Sequence, residues 1–253
     1  MMRRNAGPLS VLRHGDGAPL VLLHPLALAG ELWQPLAGRL GTRHEVFAFD
    51  LRGHGQSAWD GRPFTIDELA EDVVAALDAL GLDTVRLAGM SMGGSVAMTL
   101  AGRYPHRVNS LLLADTTAWY GPDAPTAWAQ RAQKATNPRD KQLPFQLDRW
   151  FSEAFRAEHP DEADRVARIF LATASPAHAA ASLAMGALDA RPLLPAITAP
   201  TQVLVGEHDY ATPPAMAELL AERIPNAELG VLPAVRHLSL IEAPDALLAL
   251  AAR

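Results

Sequence analysis

Short runs of apolar residues alternate with helical patterns along most of this chain of 253 residues. The apolar runs, which we interpret as strands, cover residues 9–14, 19–24, 44–50, 84–89, 108–115, 201–206 and 227–232. Most of the later runs are apolar at every position rather than at every second one, which is typical of strands buried on both faces of a parallel sheet. Strands that alternate with helices predict βαβ units, and therefore an α/β fold with a mostly parallel sheet.

The helices between these strands have recognisable ends. Thr65 and Glu68 form a capping-box pattern at the start of an apolar stripe that ends before Gly81. Further helices are predicted over residues 92–103, 214–223 and 244–252. The segment Gly15-Asp16-Gly17, between the first two strands, predicts that these strands form a hairpin.

One stretch interrupts the alternation. From about Trp119 to Arg191 there is no good strand pattern, and the sequence is rich in Ala, Arg, Trp and Phe. An insertion of this length between two core strands commonly forms a cap or lid over a functional site. We therefore expect residues 1–117 and 192–253 to form an α/β core, and residues 118–191 to form a helical cap.

Composition narrows the classes of function. A formal net charge of −6, with scattered Lys and Arg, disfavours nucleic acid as the partner. The absence of cysteine excludes disulfides, thiolate catalysis and cysteine metal sites. The sequence has no apolar run of membrane-spanning length, and no signal-peptide pattern follows Met1. We expect a cytoplasmic protein that acts on a small molecule, without a nucleic-acid or membrane partner, and the oligomeric state stays open.

The segment Gly89-Met90-Ser91-Met92-Gly93 follows an apolar strand and begins a helix. A G-x-S-x-G pattern in this context is typical of a nucleophile elbow, a sharp turn that lifts the serine hydroxyl clear of the sheet. The flanking glycines let neighbouring backbone approach, and the N-terminus of the following helix favours developing negative charge. Ser91 is therefore the predicted nucleophile.

A serine hydroxyl is a weak nucleophile unless a base removes its proton. His237 is the best placed of the nine histidines, because it follows the last strand and completes the chain order serine, acid, histidine. His24 and His54 are expected to make structural hydrogen bonds at strand ends or turns. Five further histidines are predicted to lie on the surface or in the cap: His14, His44, His106, His159 and His178.

The acid that orients the histidine should lie at the end of a strand between the serine and the histidine. Asp209 meets this condition, after the strand at residues 201–206. Asp115 is a rival at the end of an earlier strand, and Glu207 is a weaker one.

Acyl transfer also needs donors for the oxyanion. The N–H of Met92, directly after the nucleophile, is the first candidate. The turn after the strand that ends at His24 offers the second, and since Pro25 has no N–H the candidate there is Leu26. The alternative is that His24-Pro25 forms only a tight turn.

Together these motifs resemble the α/β-hydrolase superfamily, from Leu20 to Ala246. The segment at residues 50–57 is similar to the family's D-x-R-G-x-G-x-S pattern, which is usually structural. The oxyanion turn departs from the family's usual His-Gly, because this chain has His24-Pro25. The resemblance implies an α/β-hydrolase fold: an eight-stranded, mostly parallel sheet with helices on both faces and a helical cap insertion. It also implies a serine hydrolase with no metal and no organic cofactor.

Residues 148–151, 209–214 and 237–244 are also similar to the 3-oxoadipate enol-lactonases. This narrower resemblance implies hydrolysis of a small, carboxylate-bearing enol-lactone from aromatic catabolism. A substrate carboxylate favours an arginine that can bind both of its oxygens. Arg149 is the first candidate, followed by Arg131 and Arg191, and the alternative is that Arg149 pairs with a nearby acid on a solvated helix. Three tryptophans are predicted to line the pocket or, alternatively, to attach the cap to the core: Trp119, Trp128 and Trp150.

Other functions use the same three residues. Carboxylesterases, C–C bond hydrolases and perhydrolases would be separated by substrate profiling, since the fold does not determine the substrate. A biosynthetic thioesterase or cyclase would prefer carrier-bound acyl chains, and a ligand-binding protein with a vestigial triad would bind tightly with almost no turnover. Dehalogenases and epoxide hydrolases are disfavoured, because they carry Asp where this chain has Ser91.

Overall fold

The computed structural model describes residues 1–247 of the chain. Its centre is an eight-stranded sheet with the strand order β1-β2-β4-β3-β5-β6-β7-β8. The strands are β1 (Met2–Ala6), β2 (Leu9–His14), β3 (Ala18–Leu23), β4 (His44–Asp50), β5 (Val85–Met90), β6 (Val108–Ala114), β7 (Thr201–Gly206) and β8 (Ala227–Leu232). From β4 to β8 all neighbours run parallel, whereas β1 and β2 are antiparallel at one edge. The predicted α/β fold with a mostly parallel sheet is confirmed.

The described residues also form ten α-helices. They are α1 (Gln34–Leu40), α2 (Ile66–Leu80), α3 (Met92–Arg103), α4 (Ala124–Ala135), α5 (Arg139–Trp150), α6 (Glu153–Glu158), α7 (Pro160–Ala172), α8 (Ser175–Gly186), α9 (Pro214–Arg223) and α10 (Ser239–Glu242). The capping box predicted for α2 is confirmed, because the Glu68 N–H donates to Thr65 Oγ1 at 3.1 Å and the Thr65 N–H donates to the Glu68 carboxylate at 2.8 Å. Gly81 ends this helix with a φ of 70°.

The hairpin predicted at Gly15-Asp16-Gly17 is wrong. Strand β4 lies between β2 and β3, antiparallel to the first and parallel to the second. The chain instead crosses the N-terminal end of β4, where a Cβ on Gly15 would collide with the carbonyl oxygens of Gly41 and His44. The glycines therefore serve a close backbone approach rather than a two-strand turn. The hairpin that does form joins β1 to β2 through Gly7, which has a φ of 53°.

Strand β1 has no apolar pattern, so the sequence does not reveal it. Four of its five residues are exposed, and it pairs along only one side. Its position is held by the hydrogen bonds to β2 and by Arg3, which donates to Ser10 Oγ at 2.7 Å and pairs with the Asp50 carboxylate. Charged residues on an edge strand also discourage pairing with another chain.

The cap is the insertion between β6 and β7, and its five helices are α4 to α8. The two ends of this insertion meet. Trp119 and Asp189 form an isolated antiparallel bridge, and the Ala190 N–H donates to the Ala118 carbonyl at 2.8 Å. The insertion therefore leaves and rejoins the core at one place, beyond the carboxyl end of β6.

The chain after β8 differs in part from the prediction. Helix α10 was not predicted, and of the helix predicted over residues 244–252 only residues 244–247 are described, with a turn at 244 and helical backbone at 245–247. The remainder, residues 248–252, lies outside the described residues. Within residues 1–247, no single helix is long and apolar enough to cross a membrane. In the same residues, one pair of consecutive helices, α7 and α8, reaches that length and composition together, with a bend of 94° between them.

Candidate active site

Ser91 lies on the sharp turn between β5 and α3. Its φ of 56° and ψ of −120° lie in a region that non-glycine residues rarely adopt, as expected for a strained elbow. The turn is held because the Ser91 N–H donates to the Ala114 carbonyl at 2.9 Å. A Cβ on Gly89 would collide with the Gly93 carbonyl, and a Cβ on Gly93 would collide with the Leu23 carbonyl. Both glycines of the motif are therefore required by close backbone contacts.

Three side chains from separate segments meet at this turn. His237, in the loop between β8 and α10, places Nε2 at 3.0 Å from Ser91 Oγ. Its other ring nitrogen, Nδ1, lies 2.8 Å from Oδ2 of Asp209, in the loop after β7. All three are buried, with 6% or less of each residue exposed. This is the order of contacts that passes a proton from a serine hydroxyl to a histidine held by an acid.

The Asp209 carboxylate is fully paired. Oδ1 accepts the N–H groups of Ala211 at 2.7 Å and Thr212 at 3.1 Å, and Oδ2 also accepts the Thr212 hydroxyl at 2.7 Å. Burial by itself would raise the pKa of Asp209, but the charge and hydrogen bond of His237 and the donors of Thr212 outweigh it and lower the pKa. Asp209 is therefore ionised and oriented towards the imidazole.

Burial lowers the pKa of His237 below 6.5, although the neighbouring Asp209 offsets part of this effect. The imidazole is therefore neutral near pH 7. Because Nδ1–H donates to Asp209, the lone pair of Nε2 faces the Ser91 hydroxyl. This is the protonation state that a general base requires.

The rival acids lie elsewhere. Asp115 accepts the N–H and the hydroxyl of Ser239, at 3.0 and 2.5 Å, and the N–H of Gly206 at 3.1 Å. Burial and the nearby charge of Asp209 raise the pKa of Asp115 well above its usual range. Asp115 thus connects the end of β7 to the start of α10 and makes no hydrogen bond to His237 among the residues described. Glu207 is exposed and accepts the Ala234 N–H at 2.9 Å.

Of the two amides proposed for the oxyanion, one lies at the wall of the cavity that contains Ser91 and the other at the start of α3. Leu26 lines this cavity together with Ser91, and Met92 begins the helix directly behind the serine. Within residues 1–247 neither the Leu26 N–H nor the Met92 N–H has a hydrogen-bond acceptor. Both donors are therefore available to an oxygen that approaches Ser91 Oγ.

Two histidines build the turn that carries Leu26. Nε2 of His24 accepts the Leu51 N–H at 3.0 Å, and Nε2 of His54 accepts the Ala27 N–H at 3.2 Å. A backbone N–H can only donate, so both rings are neutral with the proton on Nδ1. Burial lowers the pKa of His24 and lowers that of His54 to about 3. The structural interpretation of both residues holds, and Ala27 is kept at a φ of 61°.

The cap closes over Ser91 and forms the opposite wall of the cavity. On the core side the lining consists of Pro25, Leu26, Ala27, Ser91 and His237. On the cap side it consists of Trp128, Arg131, Gln146, Arg149, Trp150, Phe170 and His178. The cap wall is therefore aromatic and positively charged.

Arg149 is only 8% exposed, and its Nε has no partner among the described residues. The adjacent Asp148 turns away, since it accepts Arg236 at 2.8 Å and the Tyr210 hydroxyl at 3.1 Å. The alternative in which Arg149 pairs with a nearby acid on a solvated helix is therefore wrong. Burial lowers the pKa of Arg149, which shows the cost of holding this charge in place.

Arg131 is the second charge on the cap wall. It is mostly buried, and its guanidinium carbon lies 4.6 Å from the centre of the Trp128 ring. Burial and the charge of Arg149 lower the pKa of Arg131 to about 9, so it still carries a positive charge at neutral pH. In the part of the chain that the structure describes, neither arginine has a carboxylate partner.

Arg191 and Trp119 do not belong to this cavity. Arg191 binds both oxygens of Asp189, at 2.7 and 2.8 Å, and its guanidinium carbon lies 3.7 Å from the Trp119 ring. Both residues lie where the cap joins the core, and only Trp128 and Trp150 of the predicted tryptophans line the cavity. For Trp119 the structure agrees with the alternative in which the ring attaches the cap to the core.

Sequence reasoning missed three lining residues: Gln146, Phe170 and His178. His178 lies in the cap as expected, but it is only 2% exposed and lines the cavity; for His44 the expectation of a surface or cap position is wrong, because it is 5% exposed at the start of β4. A signal for His178 existed, because it shares a helical face with the buried residues Ala181 and Met185. Within residues 1–247, no group of three or more His, Cys, Asp or Glu side chains is arranged to hold a metal ion.

Comparisons with known proteins agree with this geometry. The profile of the alpha/beta hydrolase fold matches residues 18–244. The chain belongs to the α/β-hydrolase family. A curated relative, 3-oxoadipate enol-lactonase 2 of Acinetobacter baylyi, is 31% identical over 91% of this chain and 86% of its own length.

Two solved structures show how far the likeness to other α/β-hydrolases extends. The enol-lactonase from Burkholderia xenovorans is 28% identical with a TM-score of 0.89, covering 99% of this chain and 98% of that one. A thermophilic esterase from Thermogutta terrifontis with malate bound is 29% identical with a TM-score of 0.90, covering 99% of this chain and 96% of that one. The protein is therefore an α/β-fold hydrolase with lactonase and esterase relatives.

Proposed function

We propose that this enzyme is a serine hydrolase that cleaves a small carboxylic ester or lactone bearing a carboxylate, such as an enol-lactone. Ser91, His237 and Asp209 act as nucleophile, base and orienting acid. Arg149 and Arg131 bind the substrate carboxylate, and Trp128 and Trp150 contact its apolar part.

One observation carries the proposal: the buried Arg149 and the half-buried Arg131 line the cavity that contains Ser91, and within residues 1–247 neither pairs with a carboxylate. A buried charge is costly unless it is paired. An anionic group on the substrate would supply the missing partner, and guanidinium groups bind carboxylates in a bidentate geometry. Relatives point the same way, since one is an enol-lactonase and another was solved with malate, a dicarboxylate, bound.

In the proposed reaction, Ser91 Oγ attacks the carbonyl carbon while His237 Nε2 takes the hydroxyl proton. Negative charge that forms on the carbonyl oxygen is stabilised by the N–H groups of Leu26 and Met92 and by the N-terminus of α3. His237 then returns the proton to the departing ester oxygen, which leaves an acyl group on Ser91.

A water molecule completes the cycle. His237 removes its proton, the hydroxide adds to the acyl carbon, and Ser91 leaves with the proton from His237. The ionised Asp209 stabilises the imidazolium that forms in both halves of the reaction. For a lactone, the first step opens the ring and the second releases the open-chain acid.

The proposal is tested with a matched pair of chromogenic esters and one lactone. Mono-p-nitrophenyl succinate carries a carboxylate at the end of its acyl chain, whereas p-nitrophenyl pentanoate is neutral and of similar length. 3-Oxoadipate enol-lactone is the third substrate. We expect kcat/KM to favour the succinate ester over the pentanoate ester, with turnover of the lactone, and Ser91→Ala to lower every rate by about 10⁶-fold.

The three substrates separate the remaining possibilities. Ester turnover without lactone turnover would support a serine hydrolase and exclude lactonase activity on this substrate. A preference for the neutral ester would contradict the proposal that the substrate bears a carboxylate. Turnover that survives in Ser91→Ala would reject the mechanism itself, and tight binding without turnover would identify a ligand-binding protein.

A thioesterase that acts on carrier-bound acyl chains fits this site less well. A long acyl chain binds in an extended apolar channel, because burying its methylene groups away from water is what stabilises the complex. The cap wall over Ser91 instead presents Arg131, Arg149 and Gln146 beside its aromatic rings. These polar groups favour a short, polar substrate.

A further inference from the structure

His178 lies on the cap wall of the cavity that contains Ser91, and no step of the proposed reaction uses it. The residue belongs to α8, and its ring meets the Phe170 ring edge-on at 6.1 Å between centres. Nε2 of His178 is buried and has no hydrogen-bond partner among residues 1–247. Buried polar atoms are almost always paired, so an unpaired one on the wall of a cavity leaves a donor or acceptor that a ligand could use.

The protonation of His178 follows from its other nitrogen. Nη1 of Arg139 lies 3.3 Å from Nδ1 of His178, and a guanidinium group can only donate. Nδ1 must therefore be the acceptor, and a neutral imidazole then carries its proton on Nε2. Arg139 is itself held in position, because its Nε donates to the Phe170 carbonyl at 2.8 Å and its guanidinium carbon lies 3.9 Å from the Phe170 ring.

The surroundings keep this imidazole neutral. Burial lowers the pKa of His178 to about 2, with further contributions from the charges of Arg131, Arg139 and Arg149. A fourth positive charge beside three guanidinium groups would be strongly unfavourable. His178 therefore presents a neutral N–H donor next to the charged donors of the wall.

We propose that His178 is a specificity-determining residue whose Nε2–H donates to an uncharged carbonyl oxygen on the acyl part of the substrate, with Arg139 as the residue that sets its tautomer. The inference rests on the proposed function, in which this cavity binds the substrate. It adds a second polar group to the substrate class: a short acyl chain that carries an oxo group in addition to a carboxylate. The arginines bind the charge, and His178 selects the neutral oxygen.

The test uses only neutral esters, so that it does not depend on the arginines. p-Nitrophenyl 4-oxopentanoate differs from p-nitrophenyl pentanoate by a single carbonyl oxygen. We expect the wild type to favour the oxo ester in kcat/KM by about tenfold, the usual size of discrimination for one buried neutral hydrogen bond. His178→Leu should abolish this preference, mainly by raising KM for the oxo ester to the level of the pentanoate ester.

Two further variants separate a lost donor from a disturbed cap. His178→Gln keeps an N–H near the position of Nε2 and should retain most of the preference. Arg139→Met removes the donor to Nδ1 and should lower the preference, although the side chain of Arg139 does not line the cavity. A cap that is merely loosened would instead lower the rates for both esters equally.

Nitrogen-15 NMR of the histidine side chains gives a readout that does not require turnover. We expect the His178 signal to show a protonated Nε2 and a bare Nδ1 at pH 7, and the Nε2–H proton to shift when 4-oxopentanoate, the product acid, is added. A protonated Nδ1, or the same oxo preference in His178→Leu as in the wild type, would overturn the inference. If the wild type does not prefer the succinate ester over the pentanoate ester, the carboxylate part of the proposed function is refuted. The comparison of the two neutral esters still tests His178 in that case.

Discussion

The two walls of the cavity treat their polar groups in opposite ways. On the core wall, both nitrogens of His237 have partners, and behind it the Asp209 carboxylate accepts four hydrogen bonds. On the cap wall, Nε of Arg149 and Nε2 of His178 are buried without partners among the described residues. The triad side chains therefore have their hydrogen-bond partners within the protein, whereas two polar side chains of the cap wall do not.

This difference separates chemistry from recognition. A satisfied network holds its groups in one arrangement before the substrate arrives, which is what electrostatic stabilisation of a transition state requires. An incomplete network is stabilised only when a complementary ligand enters. In the proposed function, the core wall acts on a carbonyl group and the cap wall selects the molecule that carries it.

The largest effect is expected on the core wall. Asp209→Asn should lower kcat by about 10⁴-fold with little change in KM, because the imidazole loses its orientation and the charge that stabilises its protonated form. Steady-state kinetics on p-nitrophenyl pentanoate measure this directly. The matched control is Asp115→Asn, in which the catalytic contacts stay in place and the loss of kcat should be far smaller. An unchanged rate in Asp209→Asn would transfer the acid role to Asp115.

A smaller and more selective effect is expected on the cap wall. Arg149→Met should raise KM for mono-p-nitrophenyl succinate by about 10- to 100-fold, the range for hydrogen bonds to a charged group, and leave p-nitrophenyl pentanoate almost unchanged. Arg191→Met is the control, because Arg191 is paired with Asp189 outside the cavity. Equal losses on both esters would remove Arg149 from substrate recognition and weaken the contrast between the walls.

The smallest effect concerns stability in acid, where His54, behind the core wall, and His178, on the cap wall, should respond alike. His54 has a pKa of about 3 and His178 a pKa of about 2 in the folded protein, against 6.5 for a free imidazole. Above pH 6.5 neither state binds these protons. As the pH falls below that value only the unfolded chain binds them, so each histidine lowers the free energy of unfolding by about 1.4 kcal/mol per pH unit.

Urea denaturation at pH 7, 6 and 5 measures this slope. We expect His178→Gln to reduce the slope by about 1.4 kcal/mol per pH unit relative to the wild type, since one buried neutral histidine has been removed. Parallel curves for the two proteins would mean that His178 is already protonated in the folded state. That result would also contradict the proposal that His178 is a neutral N–H donor on the cap wall.

Prediction from sequence succeeded where the signal is local. The elbow around Ser91 combines an apolar strand, two glycines and a helix start within a few residues, and chain order then pointed to His237 and Asp209. It failed where spatial neighbours are distant in the chain. The glycines around Asp16 looked like a hairpin, because nothing in β2 or β3 indicates that β4 will lie between them. Edge strand β1 has no burial and hence no pattern.

The sequence by itself determined the α/β class, the family and the segments that carry the proposed nucleophile, base and acid, because strand periodicity and turn chemistry are properties of neighbouring residues. Only the tertiary structure decided which cap residues face Ser91. Arg131, Arg149 and His178 lie on three different helices, while Arg191 and Trp119 pair with each other at the base of the cap. Which residues face Ser91 depends on how the five cap helices pack over the sheet. Packing between residues far apart in the chain also decides whether an arginine there pairs with a carboxylate.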